Sequence, residues 1–477
     1  MPSLPPEALS LIFSFTSRST LCNLCLCSQQ FREIAARFLY RSIDLCGNSL
    51  TRPIIGFRPL TRLVLRENSI ARLVRHLSIR DSWEADPNDP VVPEDPRDPE
   101  PEIRKAIVEA ATTEEEKSKW LEDASLPVFE DCIMPLFLSQ LTQLETLDTE
   151  VPIDPSYTTR QMGRILRKDA PFENSNNLNS LHSVIAAHDY DGHGLEPEHI
   201  AWIFRLPKIS NVYLHRIGSR DDGNGRDSPF GGLPRRKGTC RSLEMRDCLL
   251  SHEDLIELFL SFESLVSICY ELGNGLLSKA RVSWPLIHDA LTVHKDTVRD
   301  LRLEYLDHEW IPEPYFSNEY ENTTVSPTLK VFKGLKRIAI DTAFLSNGED
   351  RSISERHLTD FLPPQIEYLR ITHFEHDGDI IFKSIKALLQ QKRSEFLNLG
   401  RLVLRGKDNF FNRHKDKFKN LYQQAQIEGV QLVVEHNDGF ESERFERKWG
   451  FDEDVEWQPC SAGFNHDWHW EAYDLRS

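Results

Sequence analysis

LVSICYE at residues 265–271 and VRDLRLEY at 298–305 share one short pattern, apolar-x-apolar at the centre of a strand-like run. Working outward, the pattern returns toward higher numbers as LKRIAID (335–341), IEYLRIT (366–372), LGRLVLR (399–405) and VQLVVEH (430–436). Toward lower numbers it returns as CRSLEMRD (240–247), ISNVYLH (209–215), LHSVIAA (181–187), LETLDTE (144–150) and RHLSIRD (75–81). From Val184 onward the spacing is roughly 25–37 residues, long enough for one strand and one helix in each unit. Stretches of helical period lie between the runs: PEHIAWIFRL (197–206), HEDLIELFLS (252–261), WPLIHDALTVH (284–294), DIIFKSIKALLQ (379–390) and FKNLYQQAQI (418–427). In the second of these, Leu255, Leu258 and Phe259 stand at i, i+3 and i+4.

A short strand and an amphipathic helix cannot each bury an apolar face alone, but stacked units bury them against their neighbours. The expected fold class is therefore α/β, with parallel strands and covering helices forming an irregular solenoid over residues 46–435. A generic α/β domain with a parallel sheet is the plainer alternative. These units resemble degenerate leucine-rich repeats, although the LxxLxLxxN consensus is incomplete and its asparagine mostly missing. The expectation is thus a leucine-rich-repeat-like solenoid.

Two stretches interrupt the repeat. SWEADPNDPVVPEDPRDPEPE (82–102) is acidic and proline-rich, a composition that cannot bury a core, and its neighbour at 103–123 turns helical and charged. The whole insert is read as residues 82–125. A second, glycine-rich insert at 218–239 ends near the basic cluster Arg235, Arg236 and Lys237. Long loops of this kind often carry function, but neither insert names a ligand.

The first forty-odd residues follow a different rule. LPPEALSLIFSFTSRSTLCNLCLCSQQFREIAARFLYRSIDL, residues 4–45, reads as three short amphipathic helices. Leu9, Ile12 and Phe13 form the stripe of the first, which opens on Pro5 and Pro6. Leu21, Leu24 and Cys25 form that of the second. Phe31, Ile34, Ala35, Phe38 and Leu39 form that of the third, with Ser19 and Ser28 placed as N-caps for the second and third. The order LPPE, a leucine-rich second helix, Ser28-x-x-Phe31 and an Ala35-x-x-x-Leu39-Tyr40-Arg41 ending resembles an F-box of the form common in fungal proteins. Ala8 and Phe31 depart from the bulky aliphatic residue and the tryptophan usual there. Ordinary core helices of a larger helical domain are the alternative reading of this segment.

The resemblance implies docking onto the Skp-family adaptor of a cullin–RING ubiquitin ligase, with the remainder of the chain selecting a protein substrate of unknown identity. The adaptor-docking residues it implies are Leu4, Pro5, Pro6, Leu9, Ile12, Leu21, Leu24 and Phe31, some of which must instead hold the segment's own core. Catalysis in such an assembly belongs to other subunits, so the chain is expected to be a non-catalytic substrate receptor. An F-box that joins the adaptor to a non-ligase scaffold is the alternative. An enzyme whose active site is assembled from distant residues is a reading of a different class.

Composition narrows the partners. With 57 Lys and Arg against 75 Asp and Glu, the net charge of −18 disfavours nucleic acid or an anionic membrane as main ligand. No apolar run approaches the ~18 residues of a membrane helix. Nine scattered cysteines show no framework spacing, so the chain is expected to be reduced and intracellular, cytoplasmic and/or nuclear. Cys22-x-x-Cys25-x-Cys27 lacks a second ligand pair and is read as small buried apolar residues rather than a metal site. Residues 188–200 resemble a calcium loop with Asp189 first, but Ile200 stands where a bidentate glutamate is needed. Cys460, His466 and His469, with Trp468 and Trp470, are read as part of an aromatic capping segment over 436–477. No cofactor is expected, and no P-loop, GxGxxG, GxSxG or HExxH motif stands in a supporting context.

Overall fold

The computed structural model describes residues 4–46, 56–80, 98–126, 130–151, 155–173, 177–187, 194–219, 228–273, 284–305, 327–345, 358–373, 378–407, 410 and 413–437. The chain divides into two compact units, residues 1–212 and 213–477. Within each unit the strands pair in parallel, with neighbours following chain order.

In the first unit, α1 (Pro6–Ser14), α2 (Arg18–Cys27) and α3 (Gln29–Leu39) precede β1 (Ser42–Cys46). Then come α4 (Phe57–Arg66), α5 (Asn68–Ala71), β2 (His76–Arg80), α6 (Pro101–Ala110), α7 (Glu114–Ser125) and α8 (Met134–Leu138). β3 (Thr146–Glu150), α9 (Ser156–Arg167), β4 (Ser183–Ala187) and α10 (Pro197–Ile200) lead into β5 (Asn211–His215), where the division between units falls. In the second unit, β6 (Ser242–Cys248), α11 (His252–Ser261), β7 (Ser267–Leu272), α12 (Trp284–Thr292), β8 (Asp300–Tyr305) and β9 (Arg337–Asp341) follow. α13 (Leu358–Phe361), β10 (Tyr368–Thr372), α14 (Gly378–Gln391), β11 (Arg401–Lys407), α15 (Lys415–Glu428) and β12 (Gln431–Asn437) complete it.

All eleven strand-like runs read from the sequence contain a strand. Most strands start two residues into the run, and the reason is the same each time. The leading residue, for example Leu144, Leu181, Leu265, Val298, Leu335, Ile366 or Leu399, is fully buried ahead of the strand. The next residue then takes part in a repeated hook. The carbonyl of Arg41 accepts from the N–H groups of both Arg75 and His76, and that of Arg75 accepts from Glu145 and Thr146. Carbonyls of Glu145, His182, Arg241, Val266, Arg299, Lys336 and Glu367 each accept from two consecutive residues in the same way. These hooks fasten successive repeats within each compact unit through backbone groups that burial would otherwise leave unsatisfied.

Register explains the core. In the second unit Leu243, Ile268, Leu301, Ile338, Leu369, Leu402 and Leu432 stand side by side across parallel strands. Two residues on, Met245, Tyr270, Leu303, Ile340, Ile371 and Leu404 form a second buried row. Because side chains alternate between faces with period two, both rows share one face.

Several boundaries differ from the sequence reading. Residues 197–206 form α10 followed by a tight helical turn at Ile203–Arg205, with Ile200, Trp202, Ile203 and Phe204 all buried. β1 was included in the three-helix segment by sequence. The later part of the insert at 82–125 belongs to the first unit's core: Ile103, Ile107 and Trp120 of α6 and α7 are fully buried, and Trp120 Nε1 donates to the Cys132 carbonyl at 2.7 Å. Its proline-rich part, 81–97, lies outside the described residues, as do 188–193 of the calcium-like loop, 220–227 of the second insert and 438–477 of the expected cap.

Candidate functional site

α1, α2 and α3 enclose a small core of Leu9, Phe13, Leu21, Ile34 and Ala35, with Leu24, Cys25, Phe31, Phe38 and Leu39 packed partly against it. Phe13 and Phe31 meet edge to face, ring centres 5.4 Å apart. Each helix begins for a local reason. Pro6 opens α1, where a missing N–H removes no hydrogen bond. Ser28 caps α3 by accepting from the Phe31 N–H at 3.1 Å. The cap of α2 is Ser17, not the expected Ser19: the helix starts at Arg18, Ser17 is extended, and its hydroxyl accepts from the Thr20 N–H. Ser19 therefore sits inside the first turn.

The same three helices expose a large apolar surface. Leu4 is 53% exposed, Leu11 63%, Ile12 49%, Phe15 84% and Leu26 82%. At 3.6 residues per turn, Leu11 and Phe15 lie about 40° apart on the side of α1 away from Leu9 and Phe13, and Ile12 stands between that side and Leu9, about 60° from Leu9. From Leu4 to Leu26 the charged residues are Glu7 and Arg18 alone. An apolar surface rimmed by few charges marks a binding site more often than a free surface.

The residues singled out by sequence divide accordingly. Leu4, Pro5, Pro6 and Ile12 are exposed, Leu24 and Phe31 are half-buried, and Leu9 and Leu21 lie inside the core. Leu11 and Phe15 were missed because the stripe rule selects the inner face, while docking draws on what the stripe leaves outside. Cys22 and Cys27 are exposed rather than buried, since only Cys25 continues the Leu21–Leu24 stripe. Burial, and next the neighbouring Cys22, push the Cys25 thiol up from its ordinary value, away from thiolate chemistry.

On the second unit's strands, the positions alternating with the apolar rows carry buried charge. Arg246 bonds Glu271 at 2.7 Å and Glu244 at 2.6 Å. Arg302 pairs with Glu304 on its own strand, and Arg337 with Asp300 across to the next. Arg370 reaches Glu435 at 2.7 Å. Burial pushes the Glu304 carboxyl up, but Arg302, Arg370 and Arg246 more than offset it, leaving it below its ordinary value. Each acid in this set has an arginine beside it, with Arg246 shared between Glu244 and Glu271. Toward β12 the face turns apolar at Ala339, Tyr368 and Val403, with Val433 packed against them.

Among the described residues no group of three or more His, Cys, Asp or Glu side chains could hold a metal ion. No helix among them is long and apolar enough to cross a membrane.

Residues 1–46 match the family model described as F-box-like. The match ends at the last residue of β1, so it takes in the three helices and their exposed apolar side. No curated protein matches the chain.

Proposed function

We propose that the three-helix segment docks a Skp-family adaptor and that the chain thereby serves as the substrate-recognition subunit of a Skp–cullin–F-box ubiquitin ligase. The observation that carries this reading is the exposed apolar set Leu4, Leu11, Ile12, Phe15 and Leu26 on the segment that matches the F-box-like family. Burying that surface against a partner is worth ~25 cal/mol per Å² of apolar area. Pro5 and Pro6 belong to the same docking face, Leu24 and Phe31 to its border. Leu9 and Leu21 act indirectly, by holding α1 and α2 at the angle that presents it.

In this reading the strand-and-helix repeats are a leucine-rich-repeat-like solenoid that holds the protein substrate. The recurring backbone hook and the 25–37-residue spacing of strand starts from β4 to β12 support it. The chain then contributes proximity and orientation to ubiquitin transfer while other subunits perform the chemistry.

The test is retention of the purified full-length protein by the adaptor and by the adaptor–cullin pair. Retention with both supports the ligase reading. Retention by the adaptor with exclusion of cullin favours a scaffold outside any ligase, and failure of the folded protein to bind either overturns the proposal.

A further inference from the structure

The outer side of α14 and α15 is strongly basic, in a chain whose net charge is −18. Lys383 and Lys386 are exposed on α14, and Arg413, Lys415, Lys417 and Lys419 are exposed on or just before α15. The two sets border one seam: Gln424 of α15 donates to the Lys386 carbonyl at 3.4 Å, and Lys417 Nζ stands 5.5 Å from the Phe382 ring centre. Among the described residues no carboxylate pairs with Lys383, Lys386, Arg413, Lys415 or Lys419. Glu428 is taken by Arg393 at 2.7 Å, which leaves Asp416 as the exposed acid of α15. Apolar side chains stand on the same pair of units, with Tyr422 50% exposed, Ile427 69% and Leu397 63%. Cations beside exposed apolar groups suit a ligand that is both acidic and aromatic.

The chain itself contains such a ligand. Residues 438–477 hold eleven Asp and Glu against four Lys and Arg, with nine aromatic residues, and include the run Asp452-Glu453-Asp454-Val455-Glu456-Trp457. We infer that the basic α14–α15 face binds this acidic run of the same chain. Reach permits it: fifteen residues from Asn437 to Asp452 span up to about 50 Å, whereas α15 is about 21 Å long. Tethering raises the local concentration of the run to the millimolar range, so weak charge pairing suffices. An acidic segment of a protein substrate that reached this face would have to displace the run. The inference is independent of what the three-helix segment binds.

Carbodiimide cross-linking of the full chain, which joins a lysine amine to a carboxylate in contact, tests it by mass spectrometry. The expected links run from Lys383, Lys386, Lys415 or Lys419 to residues 452–456 within one molecule, and they fall several-fold when salt is raised to about 0.5 M, where the screening length drops to a few ångströms. Exchanging the charges, K383E/K386E/K415E/K419E together with D452K/E453K/D454K/E456K, is expected to restore links of reversed polarity. Links from this face that map elsewhere, that form only between molecules, or that do not return in the exchanged variant overturn the inference.

Discussion

The three-helix segment and the strand repeats treat their apolar residues in opposite ways. In the repeats, the two registered rows from Leu243 to Leu432 and from Met245 to Leu404 are buried, and among the described residues the exposed large apolar side chains there are Val108, Leu126, Val331, Leu397, Tyr422 and Ile427, scattered over many elements. In the segment, five buried residues are matched by Leu4, Leu11, Ile12, Phe15 and Leu26 outside. The repeats have neighbours on either side to cover their faces, whereas three short helices have too little interior to cover theirs. The outer surface left over on the segment is the part suited to a partner.

The largest effect expected from breaking this contrast lies in the repeats. Arg246→Ala would leave the Glu244 and Glu271 carboxylates buried and adjacent, and chemical denaturation should show a loss of about 3–5 kcal/mol. Replacing all three residues by apolar ones of similar volume should recover most of it. In the segment, Leu9→Ala empties a buried site and is expected to cost about 2–5 kcal/mol. The neighbouring Ile12→Ala should stay within about 0.5 kcal/mol, because its side chain leaves no cavity behind.

Acid should weaken the repeats through His294. Its Nε2 donates to the Phe259 carbonyl at 2.8 Å, its Nδ1 accepts from the Leu265 N–H, and burial pushes its pKa down to about 4. The unfolded chain therefore binds a proton in a window where the folded chain does not. The stabilisation is fully present above pH 6.5 and is lost as pH falls toward 4, up to about 3 kcal/mol. His294→Gln should flatten that slope in denaturation midpoints measured from pH 7 to pH 4. A smaller loss is expected from Ser28→Ala, about 1 kcal/mol at the α3 cap, seen in the segment's thermal midpoint and not in the repeats.

The repeats were legible because each unit carries an alternating apolar pair that only a strand can use, from RHLSIRD to VQLVVEH. β1 escaped because Ser42–Cys46 presents a single pair directly behind a helix, with no covering helix read beyond it. The helical half of the insert at 82–125 was legible as helix but not as core, since the burial of Trp120 depends on Cys132 and Tyr157, residues distant in sequence. For the candidate site, the inner stripe Leu9, Phe13 and Leu21 could be read from periodicity. Of the outer set, Leu4 and Ile12 are named through the F-box resemblance, although periodicity alone puts the exposed Ile12 on the inner stripe; Leu11, Phe15 and Leu26 are not named for docking, because exposed apolar residues follow the partner's shape rather than the helix period.

The central claim is that the outer apolar side of α1 and α2 binds the adaptor while the inner side holds the fold. Titration calorimetry of the full-length chain against a Skp-family adaptor, wild type beside Ile12→Asp/Leu26→Asp, tests it most directly. The expected result is measurable binding by the wild type and at least a 100-fold loss in the variant, about 2.7 kcal/mol, with an unchanged circular dichroism spectrum. A wild type that does not bind, or a folded variant with the same affinity, would contradict it.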